Sequence, residues 1–303
     1  MRNGLNRFLH YLEVEKGCSP GTIKAYRFDL EKGLISFLNQ RAIFNTGEVA
    51  KDDIRAYLDY TAISRNNSVV TRARKLAAIK SFFNYLVENE GLEANPAASI
   101  RSPKIPEKEP EYLTEEECLR FLGAITKNGK RRVRARDMAM AVLFLDDGLR
   151  VSELIGLKLA EVDLTGNQIK ITRKGNKEQY LHLNGETAGA LTRYLDKRPQ
   201  AQNGWFFIEN NDRNLTRRYV YGIVRRYLEL AGINKDKLGP HLLRHTFCTR
   251  LHQKGVAPFT IKNLAGHKSL NTTMRYVKIE DKEQAEAIDR LAFGKAIISS
   301  VSS

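Results

Sequence analysis

The sequence predicts a mainly α-helical protein: an N-terminal helical bundle, then a mixed but mostly helical domain carrying one small antiparallel β-hairpin. Three observations predict it. Apolar residues recur at three- and four-residue steps in the longer segments. One short stretch alternates like a strand and returns on itself. A proline-rich stretch divides the 303 residues into two regions, each long enough to bury a core.

In the first region, Leu5, Phe8, Leu9 and Leu12 keep helical spacing, and Gly17 supplies a stop. In "SPGT", Ser19 offers an N-cap with Pro20 at the first helical position. The helix it opens would carry Ile23, Tyr26, Leu30 and Leu34 or Phe37 inward. "KDDIRAYLDY" reads as a third, shorter helix. From Ser68 to Asn89 the stripe Ala73, Leu76, Ile79, Phe83 and Leu86 marks a fourth, closed by Gly91. Arg72, Arg74, Lys75 and Lys80 fall largely elsewhere on that helix.

"RSPKIPEKEPEYLTEEE" comes next, where Pro103, Pro106 and Pro110 lack donors and hold the chain extended. Residues 101–112 are therefore expected to link a domain over 1–100 to another over 113–303. Thr114 and Glu117 form a capping box that opens a helix with Cys118, Phe121 and Leu122 on its apolar side. "NQIKIT" alternates as a strand, "RKGNKEQ" turns around Gly175, and "YLHL" returns.

The formal net charge of +15 is spread along the chain rather than gathered in a tail. That implies a basic surface built into folded domains and an extended polyanion as partner. Nucleic acid fits better than a membrane, since no apolar run approaches the length of a bilayer crossing and the N-terminus lacks a signal-peptide core. A cytoplasmic protein is expected. Cys18, Cys118 and Cys248 are odd in number and unpaired in spacing, so they read as reduced thiols rather than disulfides or a metal site.

Several segments could carry chemistry. "GPHLLRHTFCTRLHQKG" reads as a helix from Pro240 to near Gly255, with Leu243, Phe247 and Leu251 toward the core. His241 and Arg244 share a face beside that stripe, either as a solvated surface or as a pair converging on an anion. His245 and Cys248 stand at i and i+3 but lack further ligands for a metal. In "LFLDDGLRVSELIGLKL", Arg150 lies between buried segments, where Glu153 would be its structural partner; the sharper reading is a guanidinium for phosphate. Lys174 and Lys177 stand at the hairpin tip as solvated charge, or as a lysine able to swing into a DNA groove. "GAITKNGKR" has one residue too many, and Arg131 where serine or threonine belongs, for a nucleotide phosphate loop. Finally, "LAGHKSLNTTMRYVKI" sets His267 nine residues ahead of Tyr276, which is an ordinary half-buried aromatic or a reactive phenol.

Together these segments resemble the tyrosine recombinase, or phage integrase, family, and its short Xer-like members in particular. The pattern is Arg150 in "GLRVSEL", Lys174 in "RKGNKE", His241 and Arg244 in "HLLRHT", His267 in "LAGH" and Tyr276 in "TTMRY". The resemblance covers nearly the whole chain. It implies a SAM-like core-binding bundle and a catalytic domain that clamp double-stranded DNA from opposite sides. Tyr276 would attack the scissile phosphate to leave a 3′-phosphotyrosine, with Arg150 and Arg244 neutralising the phosphate. Lys174 would protonate the departing 5′-oxygen, His241 would assist removal of the phenolic proton, and His267 would hydrogen-bond the phosphate and order the pocket. No cofactor, ATP or metal is implied.

Candidates for DNA phosphate contacts are Arg72, Arg74 and Lys75, and Lys130, Arg131, Arg132 and Arg134 of "KRRVRAR". After Tyr276, "EDKEQAEAIDRLAF" sets Ala285, Ile288, Leu291 and Ala292 on one side. By resemblance that tail exchanges between protomers of a tetramer on two DNA sites, the free protein being monomer or dimer. Two departures stand out: Asp146 and Asp147 precede "GLR", and Gln179 ends "NKEQ" where arginine is usual. Rival readings are a type IB topoisomerase and a catalytically idle DNA-binding protein.

Overall fold

The computed structural model describes residues 1–106, 110–131, 133–173, 177–209 and 213–277. Contacts divide the chain into two compact units, Met1–Lys108 and Glu109–Ser303.

In the first unit, the spacing of Leu5, Phe8, Leu9 and Leu12 buries all four on one side of α1 (Arg2–Val14). Ser19 Oγ accepts from Thr22 N at 3.3 Å, and Pro20 is the first residue of α2 (Pro20–Arg27). The second predicted helix is not regular, however. It passes into a π-helical segment, Phe28–Ile35, before α3 (Ser36–Gln40). The wider turn there brings Asp29 inward together with Leu30 and Leu34. α4 (Lys51–Ile63) completes the group around α5 (Val69–Glu90), which packs against α1, the π-segment and α4. Of its predicted stripe α5 buries Leu76, Ile79, Phe83 and Leu86 and leaves Ala73 half-buried; it buries Ala78, Phe82, Tyr85 and Lys75 besides. A helix enclosed on three sides needs a wider apolar face than one stripe supplies.

Lys75 departs from its expected role. It is 8% exposed, and its Nζ lies 3.3 Å from Asp29 Oδ1 and 3.3 Å from Tyr57 Oη. Buried charge is held only where it is paired, so Lys75 is committed to the interior and is not free for phosphate.

In the second unit, the Thr114 and Glu117 capping box is present at 3.2 and 2.9 Å and opens α6 (Glu115–Asn128). α7 (Arg134–Leu145) runs through the core, packed against α6, α9 (Gly185–Leu195) and α11 (Pro240–Gln253). Phe121 and Phe144 are fully enclosed there, each contributing about 2 kcal/mol by removal from water. α8 (Val151–Gly156) leads to a sheet of order β1-β2-β3, formed by Val162–Asp163, Gln168–Arg173 and Lys177–His182, all antiparallel. Ile169, Ile171 and Leu181 point inward. Strand β1 has two residues, too few to show alternation in the sequence. α10 (Arg217–Leu230), α12 (Pro258–Ala265) and α13 (Leu270–Met274) complete the described unit. The fold is thus mainly helical with one small antiparallel sheet.

Candidate active site

The site is organised by the C-terminal end of α12, whose last carbonyls have no partners within the helix. Three arginines supply them from three different elements. Arg173, at the end of β2, donates from Nη2 to Leu264 O at 2.7 Å. Arg244, on α11, donates from Nη2 to Ala265 O, and Arg150, ahead of α8, donates from Nη2 to Gly266 O at 2.7 Å. Gln179 Nε2 reaches Asn263 O at 3.3 Å from β3. Cations here also meet the negative end of the helix dipole. Gly266 is in the left-handed region at φ +61°, and a Cβ there would overlap the Arg173 guanidinium.

Arg150 is placed by the turn that ends α7. Gly148 has φ +60°, and a Cβ on it would overlap the Phe247 ring. Leu149 and Val151 are buried on either side of the arginine. The predicted Glu153 pairing is present: Arg150 Nη1 lies 2.7 Å from Glu153 Oε1, and Arg150 N donates to Oε2 at 2.8 Å. Arg244 is 6% exposed and also donates to Gly148 O, so it ties the α7–α8 turn to α12. Burial lowers its pKa to about 10, which still leaves it charged at neutral pH.

Tyr276 follows α13 and is 8% exposed, packed with Phe247, Cys248, Ile261 and Ala265. Its Oη lies 2.5 Å from His245 Nδ1. The His267 ring stacks on the phenol at 6.1 Å between centroids, while His267 Nδ1 pairs with Thr273 Oγ1 at 2.9 Å. Burial pushes the phenol up to about 12, opposed by the charges of Arg244, Arg275 and Arg150. Burial, reinforced by nearby positive charge, holds His245 and His267 down at about 4, so both are neutral at pH 7. The chemistry available is anion binding by guanidiniums beside a weakly acidic phenol with a neutral imidazole on its oxygen.

The structure therefore brings Arg150, Arg244, His267 and Tyr276 into one region. His241 is exposed on the otherwise buried first turn of α11, edge-on to Tyr221 at 5.9 Å, and the partner of the phenol is His245. Lys174 lies outside the described residues, directly after Arg173, as does the tail with Ala285, Ile288, Leu291 and Ala292. Asp147 is pushed up to about 8 by burial and by Asp146, so near neutral pH it is mostly uncharged beside the turn that carries Arg150. Among the described residues no group of His, Cys, Asp and Glu is arranged to hold a metal ion.

The basic DNA candidates separate clearly. Lys130 and Arg131 are exposed, and Arg132 lies outside the described residues. Arg134 donates from Nε and Nη2 to Gly129 O at 3.1 and 3.0 Å, closing the end of α6. Arg136 of the same run is buried against Asp137 at 2.9 Å and Tyr219 at 3.2 Å. Arg74 is paired with Asp29 but is largely exposed, and Arg72 is half-buried with its Nε enclosed. Sequence reasoning missed Arg173 and His245. Arg173 adjoins Lys174, and that adjacency was its only available signal; His245 adjoins Arg244 in "HLLRHT" and stood out in the sequence only as a possible metal ligand with Cys248.

Comparison with known proteins shows the family and the fold. Residues 111–283 match the Phage integrase family, and residues 5–90 match the Phage integrase, N-terminal SAM-like domain. The chain is 35% identical over 298 residues to Tyrosine recombinase XerC of Herpetosiphon aurantiacus, covering 96% of this chain and 95% of that one. It is 33% identical to Tyrosine recombinase XerC of Thermodesulfovibrio yellowstonii, covering 94% and 95%. Among solved structures, the XerH site-specific recombinase bound to palindromic difH substrate in a post-cleavage complex superposes with a TM-score of 0.73 at 26% identity, over 88% of this chain and 78% of that chain. The Tn1549 transposon integrase in complex with transposon right end DNA shares the fold, with a TM-score of 0.76 over 95% of this chain and 99% of that chain.

Proposed function

The chain belongs to the phage integrase family, and we propose on that premise that it breaks and rejoins DNA strands with Tyr276 as nucleophile. It is a tyrosine recombinase, an enzyme of site-specific DNA recombination. The observation that carries the role of Tyr276 is its phenol, held on an imidazole in the region where Arg150 and Arg244 converge.

Attack by Oη on a phosphodiester leaves a 3′-phosphotyrosine and a free 5′-hydroxyl, conserving the bond energy as another phosphodiester. Arg150 and Arg244 neutralise the non-bridging oxygens, for which planar, always-charged forks are suited. His241 and His267 add hydrogen bonds to the phosphate, and Lys174 protonates the leaving 5′-oxygen. Residues 1–100 act as a DNA clamp, residues 101–112 as a linker and residues 113–303 as the catalytic domain. Lys130 and Arg131 contact phosphates, joined by Arg72, Arg74, Arg132 and Arg134. The working assembly is a cytoplasmic tetramer on two DNA sites, joined through the tail beyond Glu280.

The test uses a labelled, nicked duplex carrying a site selected from random DNA by binding to this protein. Denaturing electrophoresis should reveal a protein-linked 3′ strand with the natural chain and none with Tyr276→Phe, while affinity changes less than about threefold. Equal loss of adduct and binding overturns the assignment. Removing residues after Glu280 should impair joining of two sites more than binding of one.

A further inference from the structure

The proton on Tyr276 has one acceptor within reach among the described residues. Nδ1 of His245 lies 2.5 Å from Oη, close to the short end of the range for a hydrogen bond. The other histidines of the region are disposed differently. His267 lies nearly parallel to the phenol, at 15° between ring planes, so it meets the ring face rather than the oxygen, and its Nδ1 is engaged by Thr273. His241 contacts Tyr221.

His245 is also built into the site. It follows Arg244 on α11, whose next residues Thr246, Phe247 and Cys248 are all buried, and Thr246 Oγ1 is hydrogen-bonded to Leu113 N at 2.9 Å and to Leu242 O at 2.9 Å. The helix is therefore fixed in rotation, and the position of His245 is set by the same backbone that sets Arg244. A phenol cannot attack a phosphate without losing its proton. A neutral imidazole on the attacking oxygen can accept it, whereas the guanidiniums nearby cannot.

We propose that His245 is the general base for Tyr276. As Oη bonds to phosphorus, the Oη–H bond breaks and its proton passes to His245 Nδ1. The bond from phosphorus to the 5′-oxygen breaks in the same displacement, and that oxygen takes a proton from the acid assigned to Lys174. On rejoining, the 5′-hydroxyl returns its proton to the acid assigned to Lys174 as it attacks phosphorus, the bond from phosphorus to Oη breaks, and the imidazolium returns its proton to the departing phenolate. His241, three residues earlier on the helix, is thereby left to the phosphate. This inference rests on Tyr276 being the nucleophile.

The test measures single-turnover adduct formation on the selected nicked site for the natural chain, His245→Ala, His245→Asn and His241→Ala. Each is made with tyrosine or with 3,5-difluorotyrosine installed at position 276. Fluorination makes the phenol more acidic and so lessens its need for a base. His245→Ala is expected to lower the rate about 100-fold, with difluorotyrosine recovering at least about tenfold of that. His245→Asn can still hold the phenol but cannot take its proton, so it should behave like His245→Ala. A rate within threefold of the natural chain for either variant overturns the proposal, as does a loss that difluorotyrosine leaves unchanged. Circular dichroism and DNA affinity establish folding, and His245→Asn carries the comparison if His245→Ala does not fold. No adduct from the natural chain overturns the nucleophile and the base together. An undiminished adduct in the His245 variants overturns the base alone.

Discussion

The inward-reaching cations of the two units meet different partners. In the N-terminal unit, Lys75 and Arg74 converge on Asp29, a carboxylate that is fully enclosed. Around the end of α12, Arg150, Arg173 and Arg244 converge on the carbonyls of Gly266, Leu264 and Ala265. A carboxylate cancels a charge, whereas a carbonyl orients a guanidinium and leaves its charge in place. Of these three arginines, Arg150 alone has an ion-pair partner among the described residues, Glu153. The first arrangement is therefore structural, and the second keeps positive charge available for an anion.

The sharpest way to break this contrast is to remove one cation from each. Arg244→Ala should slow adduct formation on a nicked site by roughly 100- to 1,000-fold, as expected for loss of a donor to a transition-state oxyanion. If Arg244 were structural in the manner of Lys75, the adduct would fall only in proportion to the fraction folded. Lys75→Ala should instead destabilise the N-terminal unit by about 3 kcal/mol, read from denaturant unfolding, because Asp29 loses a buried partner. Replacing the pair together, Asp29→Asn with Lys75→Met, should recover most of that loss. Adduct formation per folded molecule should be unchanged in both.

A smaller effect concerns pH. Asp147 stands at about 8 in the fold, above the ordinary carboxylate value of about 4 in an unfolded chain. The folded state thus binds the proton more tightly, and stability contributed by the protonated form is complete below pH about 4 and lost as pH rises through 8. Asp147→Asn should therefore gain stability relative to the natural chain between pH 5 and 8, by on the order of 3 kcal/mol at the upper end. Thermal unfolding across that range measures it, and parallel curves for the two proteins would contradict it.

The smallest effect lies at the surface. Lys130→Ala and Arg131→Ala should each lower the slope of log affinity against log salt by about 0.9, with nearly equal weakening on every DNA sequence. An unchanged slope would show these exposed charges to be merely solvated.

The legibility of the molecule follows the range of the forces involved. The stripe of α1, the Ser19 cap, the Thr114 capping box and the Glu153 partner of Arg150 were all readable because each determinant lies within four residues of the next. The irregular second helix was not, since no local residue in "FDLEKGLI" announces a π-turn. Lys75 was misplaced because its charge reads as surface until Asp29, 46 residues away, is known to be inside. In sequence His245 reads as a metal candidate and His241 as the phenol's partner, although both stand on the same helix; rotation of α11 against α13 decides between them.

By itself, then, the sequence determined the helical class, the order of the reactive residues and the local turns that present them, because spacing and capping act over single helical turns. Only the tertiary structure decided which imidazole meets the phenol, 31 residues away, and which carbonyls receive Arg150, 116 residues away. Those choices rest on how packed helices and the β2–β3 hairpin are rotated and seated, which no local pattern encodes.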